Sequence, residues 1–427
     1  MSVSHKLSLL SALIININIM LGSGIFINTV LLATTAGSLG ALSYIIVGIL
    51  MIPLILVIAE LLKIHSGGTF YEFGRTIHPL FGFLSSWGYF TAKLASAALG
   101  IHIFVTLIQK IIPATSAYNT LMIDSCIILF FSLLNMLNVR VGRSIHYSFI
   151  ILKLIPLLFI IIAGLFYFNG AAYSAESFLW QGIPQTIPFV LFAFAGFEAS
   201  CSLSRSIENP EKNGPRAIFI SFTIVLIIMV LYQINFFGLL GMKLGTYPSF
   251  REAFPAVSDI LFVSPFVKNF CNALTLAGIA TSSLGASYGI LFSNSWNLFA
   301  LAEHNHTFLK DKLISLNNNH MPYACIIVET FLTLGYLFFS QGNQIPLQQI
   351  SALGSTLAYF LSVISFTFLT LFVTQERRLL AALSVVTCCI LIGATIRSAY
   401  IFGITPYILY SVILLLGVGM YSITAKN

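Results

Sequence analysis

The chain has 427 residues, of which 58% are apolar, 14% aromatic and only 8% charged, and its formal net charge is +7. A water-facing surface carries about 25% Asp, Glu, Lys and Arg, so most of this chain must face lipid or other buried helices. That excludes disorder, coiled coil, collagen and a secreted disulfide scaffold; nucleic-acid recognition is excluded too, because the cations are scattered over short loops with no basic stripe or stacking platform.

A short polar leader, residues 1–7, runs into the first apolar stretch with no small-residue cleavage site near its end, and it reads as the approach to a retained span. A helix needs roughly 20 apolar residues to cross the hydrocarbon core. Twelve such runs lie near residues 9–33, 40–62, 80–109, 120–138, 145–168, 184–204, 217–240, 268–302, 321–340, 348–373, 379–398 and 405–423. No linker interrupts them, so the expected fold class is all-α integral membrane, a single domain over residues 1–427. An even count puts both termini on one side. Of the 20 Lys and Arg, Lys93 and Lys153 lie within spans, Lys110, Lys243, Arg251, Lys268 and Arg397 fall on one face, and all the others fall on the face shared by the termini. The positive-inside rule then makes both termini cytoplasmic in a cell membrane.

The six cysteines (Cys126, Cys201, Cys271, Cys325, Cys388, Cys389) all fall in apolar runs without metal-ligand spacing. They read as small buried hydrophobes, and neither a metal nor a cofactor is expected.

Two spans are interrupted. Span 1 holds Gly22-Ser23-Gly24-Ile25-Phe26 near its middle, and span 6 holds Phe192 to Glu198 after Pro184 and Pro188. Unwinding in lipid frees backbone N–H and C=O groups, which is tolerable only where they line a cavity or hold a ligand. Freed amides at a helix N-terminus suit a carboxylate, and freed carbonyls suit an ammonium. Two broken helices side by side can hold a zwitterion, and glycine-interrupted segments at matching places in two halves point to a transporter's midplane site. Taken alone, Gly22 and Gly24 have a second reading as close-packing residues between helices.

These residues resemble the amino acid–polyamine–organocation superfamily. The resemblance rests on Gly22-Ser-Gly-Ile-Phe26, on Ser66-Gly67-Gly68-Thr69-Phe70-Tyr71 at the exit of span 2, and on Lys153-Leu-Ile-Pro156 in span 5. Its most specific part is Phe194-Ala-Gly-Phe-Glu198 followed by the loop Asn209-Pro-Glu-Lys-Asn-Gly-Pro-Arg216, and the stretch from Leu301 to Pro322 adds a weaker match. The resemblance covers nearly the whole chain. It implies a LeuT-type fold with a 5+5 inverted repeat (about 9–168 and 184–373), broken helices 1 and 6, and two further helices at about 379–423. It implies an amino acid substrate, its carboxylate on the amides of Ser23 and Gly24 and the Ser23 hydroxyl, its ammonium on carbonyls of Met20, Phe192 and Ala195. Relatives that exchange arginine carry a tryptophan where Phe192 stands; phenylalanine keeps the ring with weaker attraction for a cation.

Ionisable groups at membrane depth are functional candidates. Lys153 lies eight residues into span 5, and the resemblance implies that its ammonium takes the place of a coupling cation, against carbonyls near Asn18 and Leu21 and the hydroxyls of Ser282 and Ser283. The other reading is a lysine that snorkels to the interface. Glu198 reads either as a proton-binding or gating carboxylate or as a fixed partner. Lys93 either pairs with Glu198 or stands as a vestibule cation that disfavours cationic substrates. His102 and Glu329 read as satisfied or peripheral groups. On the cytoplasmic side Glu72, Arg75, Arg143, Arg205 and Glu208 are candidates for gate ion pairs.

The expected function is therefore secondary transport of amino acids by alternating access, proton-coupled or exchanging, with protons, substrate and the bilayer as partners and a homodimer possible through spans 11 and 12. A membrane-embedded enzyme needs converging catalytic groups that the spans do not offer. A transporter-like sensor is disfavoured because the spans reach almost to both chain ends.

Overall fold

A computed structural model describes residues 6–374 and 376–424. The leader residues 1–5 and Lys426, which was counted on the basic face, lie outside the described residues. Among the described residues the chain is helical, with two isolated backbone bridges, Leu7 with Ile207 and Gly37 with Phe178.

The first crossing is α1 (Leu9–Met20) plus α2 (Gly24–Ala36), followed by α3 (Gly40–Ile64), the short α4 (Phe70–Arg75) and the long α5 (Pro79–Ile111). Next come α6 (Thr120–Asn135), α7 (Val139–Tyr167), α8 (Ile183–Phe194), α9 (Ala199–Ser202) and α10 (Pro210–Leu240). The remainder is α11 (Phe250–Leu261), α12 (Pro265–Glu303), α13 (Lys310–Leu313), α14 (Tyr323–Ser340), α15 (Gln344–Phe368), α16 (Arg378–Phe402) and α17 (Thr405–Thr424). Polar residues set the starts. Ser8, Asn119, Asn138 and Ser249 each accept a backbone N–H at a helix N-terminus, and Thr69 with Glu72 forms a capping box on α4.

Among the described residues ten helices are long and apolar enough to cross a membrane, eleven with α1 and α2 taken as one bent span. The expected fourth span is the 16-residue α6, about 24 Å at 1.5 Å per residue against a core of about 30 Å. The count of twelve is therefore not reached by length, because Asn135 ends α6 and Asn138 already caps α7. A second correction concerns residues 209–216, expected as a loop. Pro210 opens α10 with Asn209 in the left-handed region, and the segment forms the first two turns of that helix.

The core is built around α5, which packs on α12, α15, α14, α17, α6 and α4, while α3 packs on α10 and α7 on α12. Helix α17 is the least buried of the spans, with Leu415 and Leu416 each 69% exposed. The cysteines are free, and the expectation that all are buried holds for Cys201, Cys325 and Cys388 but fails for Cys126 and Cys389, which are exposed, and for Cys271, which is partly exposed. In a lipid-facing chain an apolar residue has no need of a protein neighbour.

Candidate functional site

Helix α1 ends at Met20, α2 starts at Gly24, and the two axes differ by 44°. Gly22 and Gly24 are there because neighbours come close. A Cβ on Gly24 would lie 2.9 Å from Cα of Ala193, and one on Gly22 would lie 2.8 Å from Cβ of Ala286. Span 6 stops at Phe194, and residues 195–198 form a turn around Gly196, whose φ of 127° is open to glycine and strained for other residues. The two breaks lie against each other, with Gly196 beside Ile19 and Met20.

Around them lies a cavity of ≈ 20 Å³, lined by Met20, Ser23, Gly24, Phe192, Ala195, Lys93 and Ser283 together with Ser96, Gly100 and Ser287. Its size suits about one water molecule. All five residues expected to hold substrate meet here. The amides of Gly22, Ser23, Gly24 and Ile25 reach no backbone acceptor among the described residues, and the carbonyls of Met20 and Ala195 receive no backbone donor. The Phe192 carbonyl accepts from the Ala195 amide at 3.3 Å, an amide it shares with the Leu191 carbonyl, and Phe192 lines the cavity.

Lys153 is fully buried, and its Nζ donates to the carbonyls of Asn18 (2.6 Å) and Leu21 (2.8 Å). It does not snorkel. Those carbonyls close the C-terminal end of α1, where the helix dipole favours a cation. The Ser282 hydroxyl donates to the same Leu21 carbonyl at 2.7 Å. Ser283 stands apart from this group; its hydroxyl turns back to the carbonyl of Ile279 in its own helix.

Glu198 and Lys93 pair at 2.8 Å, both buried. The Tyr89 hydroxyl donates to the same carboxylate oxygen at 3.0 Å, and the Gly196 amide donates to the other at 2.8 Å. This pair joins α5 to the unwound part of span 6, so Lys93 is at once the partner of Glu198 and a wall of the cavity.

Sequence reasoning missed a set of asparagines that lace the broken helices together. Asn16 accepts from Ser200 (3.1 Å) and donates to Ser221 (3.3 Å), tying α1 to α9 and α10. Asn28 donates to the carbonyl of Phe189 (2.7 Å), tying α2 to α8. The available signal was their polarity inside an apolar span. His102 is satisfied by Asp124 at 2.8 Å with its side chain 18% exposed, whereas Glu329 is buried and not peripheral.

The face rich in Lys and Arg is closed. Glu72 meets His304 at 3.2 Å, Arg75 meets the other nitrogen of His304 at 3.2 Å, Tyr71 bonds His306 at 2.8 Å, and Arg205 pairs with Glu303. Burial works against the Glu72 charge, but the His304 contact and the Thr69 amide outweigh it and hold the carboxyl below its usual range. Burial pushes His306 down to about 4, helped by neighbouring His304. Leu7 closes the same face through its bridge to Ser206 and Glu208 (2.6 and 2.9 Å). Of the expected gate charges, Arg143 and Glu208 form no ion pair among the described residues. On the opposite face a vestibule of ≈ 720 Å³ opens between α2, α8, α11 and α15, with Ile27 and Phe189 in its wall. Those two residues stand one turn from Gly24 and Phe192.

The family described as "Amino acid permease" matches residues 7–418. The chain is 24% identical over 331 residues to the aromatic amino acid transport protein AroP of Escherichia coli K12, covering 73% of this chain and 69% of that one. It is likewise 24% identical over 311 residues to the uncharacterized transporter Rv1999c of Mycobacterium tuberculosis, covering 71% of this chain and 67% of the relative. A match spanning almost every residue, on a helical membrane chain broken where spans 1 and 6 meet, places this protein in the amino acid permease family of the amino acid–polyamine–organocation superfamily, among transporters and not enzymes.

Proposed function

We propose that this chain moves amino acids across the cell membrane by alternating access, with Lys153 as the proton-coupling group. The observation that carries the reading is the Lys153 ammonium seated on the Asn18 and Leu21 carbonyls at the α1 break. A protonated lysine satisfies both carbonyls; a neutral one gives up its charge-assisted grip and frees α1 to move. The substrate carboxylate would bind the unused amides of Ser23 and Gly24 with the Ser23 hydroxyl, and its ammonium the carbonyls of Met20 and Ala195, beside the Phe192 ring. In this reading the basic face is cytoplasmic and holds both termini, and the chain rocks its two broken helices against α5 and α12. Lys93 is paired with Glu198, so the cavity wall carries no uncompensated cation. AroP is named for aromatic substrates, so phenylalanine, tyrosine and tryptophan head the panel to be tested. Pairing of two chains, if it occurs, would use the exposed α16 and α17; subunit counting by photobleaching in lipid tests it.

The functional test is counter-flow of labelled amino acids into liposomes holding the purified protein, at two pH values. We expect saturable exchange of at least one amino acid, uptake raised several-fold by an inward proton gradient, and loss of that stimulation in Lys153→Ala. Exchange indifferent to both the gradient and Lys153→Ala removes the coupling role. Binding with no flux for any amino acid would favour a sensor.

A further inference from the structure

The stripe of α5 that faces the two breaks is polar. Lys93, Ser96 and Gly100 follow one another at intervals of three and four residues, so they share one face of the helix, and all three line the cavity. Between Gly88 and Ile101 every residue of α5 is buried except Ser96, which is partly exposed. On the facing stripe of α12 the Ser283 and Ser287 hydroxyls are taken by carbonyls of their own helix, at 3.2 and 3.1 Å. The Ser96 hydroxyl makes no hydrogen bond among the described residues. Lys93 Nζ carries three donors, and Glu198 takes one of them at 2.8 Å.

The wall behind this stripe is shut. A Cβ on Gly100 would run into the Ser287 hydroxyl and lie 3.0 Å from the Ser283 carbonyl, so α5 and α12 touch there with no cleft between them. In the proposed cycle these two helices stay together while the broken ones move, and the wall keeps its depth. We propose that the side-chain end of the substrate site selects a short hydroxyl, and that this chain carries serine and threonine in preference to apolar, aromatic and acidic amino acids. The inference rests on the amino acid reading given above: with the broken helices holding carboxylate and ammonium through their backbone, the substrate side chain is left to α5 and α12.

A hydroxyl both donates and accepts. On this stripe it would donate to Ser96 Oγ and accept from Lys93 Nζ, and the methyl of threonine would meet Ala286 and Ile290 of the same cavity wall. Because Glu198 balances the Lys93 charge, the site offers donors and no net charge, and a side-chain carboxylate would have to compete with Glu198 for the ammonium. An apolar side chain would leave the Ser96 hydroxyl and the spare Lys93 donors buried and unpaired. That is the loss by which a site built for a hydroxyl rejects an analogue without one. An aromatic ring has no cleft to enter, since Gly100 already lies against Ser287.

The test is competition in the counter-flow assay between threonine and valine, which share a shape and differ in one hydroxyl, with serine, alanine, phenylalanine and aspartate alongside. We expect threonine to compete about tenfold better than valine or more, and serine better than alanine. Ser96→Ala should shrink the threonine-to-valine ratio to about threefold or less, a change that altered packing alone would not make, because both ligands fill the same space. If Ser96→Ala carries no flux, the same ratio is read from ligand-dependent thermal stabilisation of the purified variant. Valine, phenylalanine or aspartate competing as well as threonine in the wild type, or an unchanged ratio in Ser96→Ala, overturns the proposal. Failure of the underlying transport reading looks different: no amino acid would then exchange, whatever its side chain.

Discussion

At the scale of single residues, Lys93 and Glu198 form an ion pair held almost wholly out of solvent. Breaking a buried pair by removing one partner destabilises by about 3–5 kcal/mol, because a charge is left uncompensated, whereas replacing both can be nearly neutral. We expect Lys93→Met and Glu198→Gln each to lower stability by roughly that amount, and the double variant to recover most of the loss, as measured by thermal unfolding in detergent. If the two single losses simply add, the pair is not the unit described. Gly24→Val makes a complementary case. The new side chain would be driven into Ala193, whose Cα lies 2.9 Å from the position of a Cβ, and overpacking of this kind costs typically about 1–3 kcal/mol. Amino acid exchange should fall with it, since the amide of residue 24 is part of the proposed carboxylate site.

Helices and loops behave as larger switches. The closed basic face joins α4, at Tyr71 and Glu72, to the segment after α12, at His304 and His306. His306 is neutral in the closed state because burial pushes it down to about 4, against an ordinary value of about 6.5. Between those values the opened loop binds more protons than the closed one, so closure is favoured fully above about 6.5 and lost progressively as pH falls toward about 4. A cysteine placed at buried Ser206 in a cysteine-free background should therefore react faster with maleimide at pH 5 than at pH 7, after correction for thiolate content. His306→Gln should remove the difference. The elements show what was legible and what was not. The breaks at Gly22–Gly24 and Ala195–Glu198 were readable because glycine in an apolar run has few uses. Residues 209–216 read as a loop because two prolines, two asparagines and a glycine imitate one, and the left-handed Asn209 before Pro210 turns them into a helix start. Phe250–Leu261, an amphipathic helix beside the vestibule, is not marked by the sequence because Pro255 and its mixed polarity do not resemble a membrane crossing.

For the whole molecule, the distribution of Lys and Arg makes a directional claim. A cysteine replacing Ser116 on one face should be labelled in intact cells by a membrane-impermeant maleimide, and one replacing Asn318 on the other should be protected until the membrane is permeabilised. The reverse pattern would invert the assigned orientation. Composition and hydropathy disclosed the architecture because lipid demands long apolar helices. They left the internal wiring dark: Asn18 touches His146 and Gly285, residues 128 and 267 positions away, and nothing local in the chain announces such partners.

The narrowness of the central cavity, ≈ 20 Å³, has a kinetic consequence. An arriving solute cannot simply drop into a waiting berth; helices must part first, and the free energy used in parting them is subtracted from what its contacts return. Measured half-saturation should accordingly look poor for so well-equipped a berth, and capture should be limited by that parting instead of by diffusion.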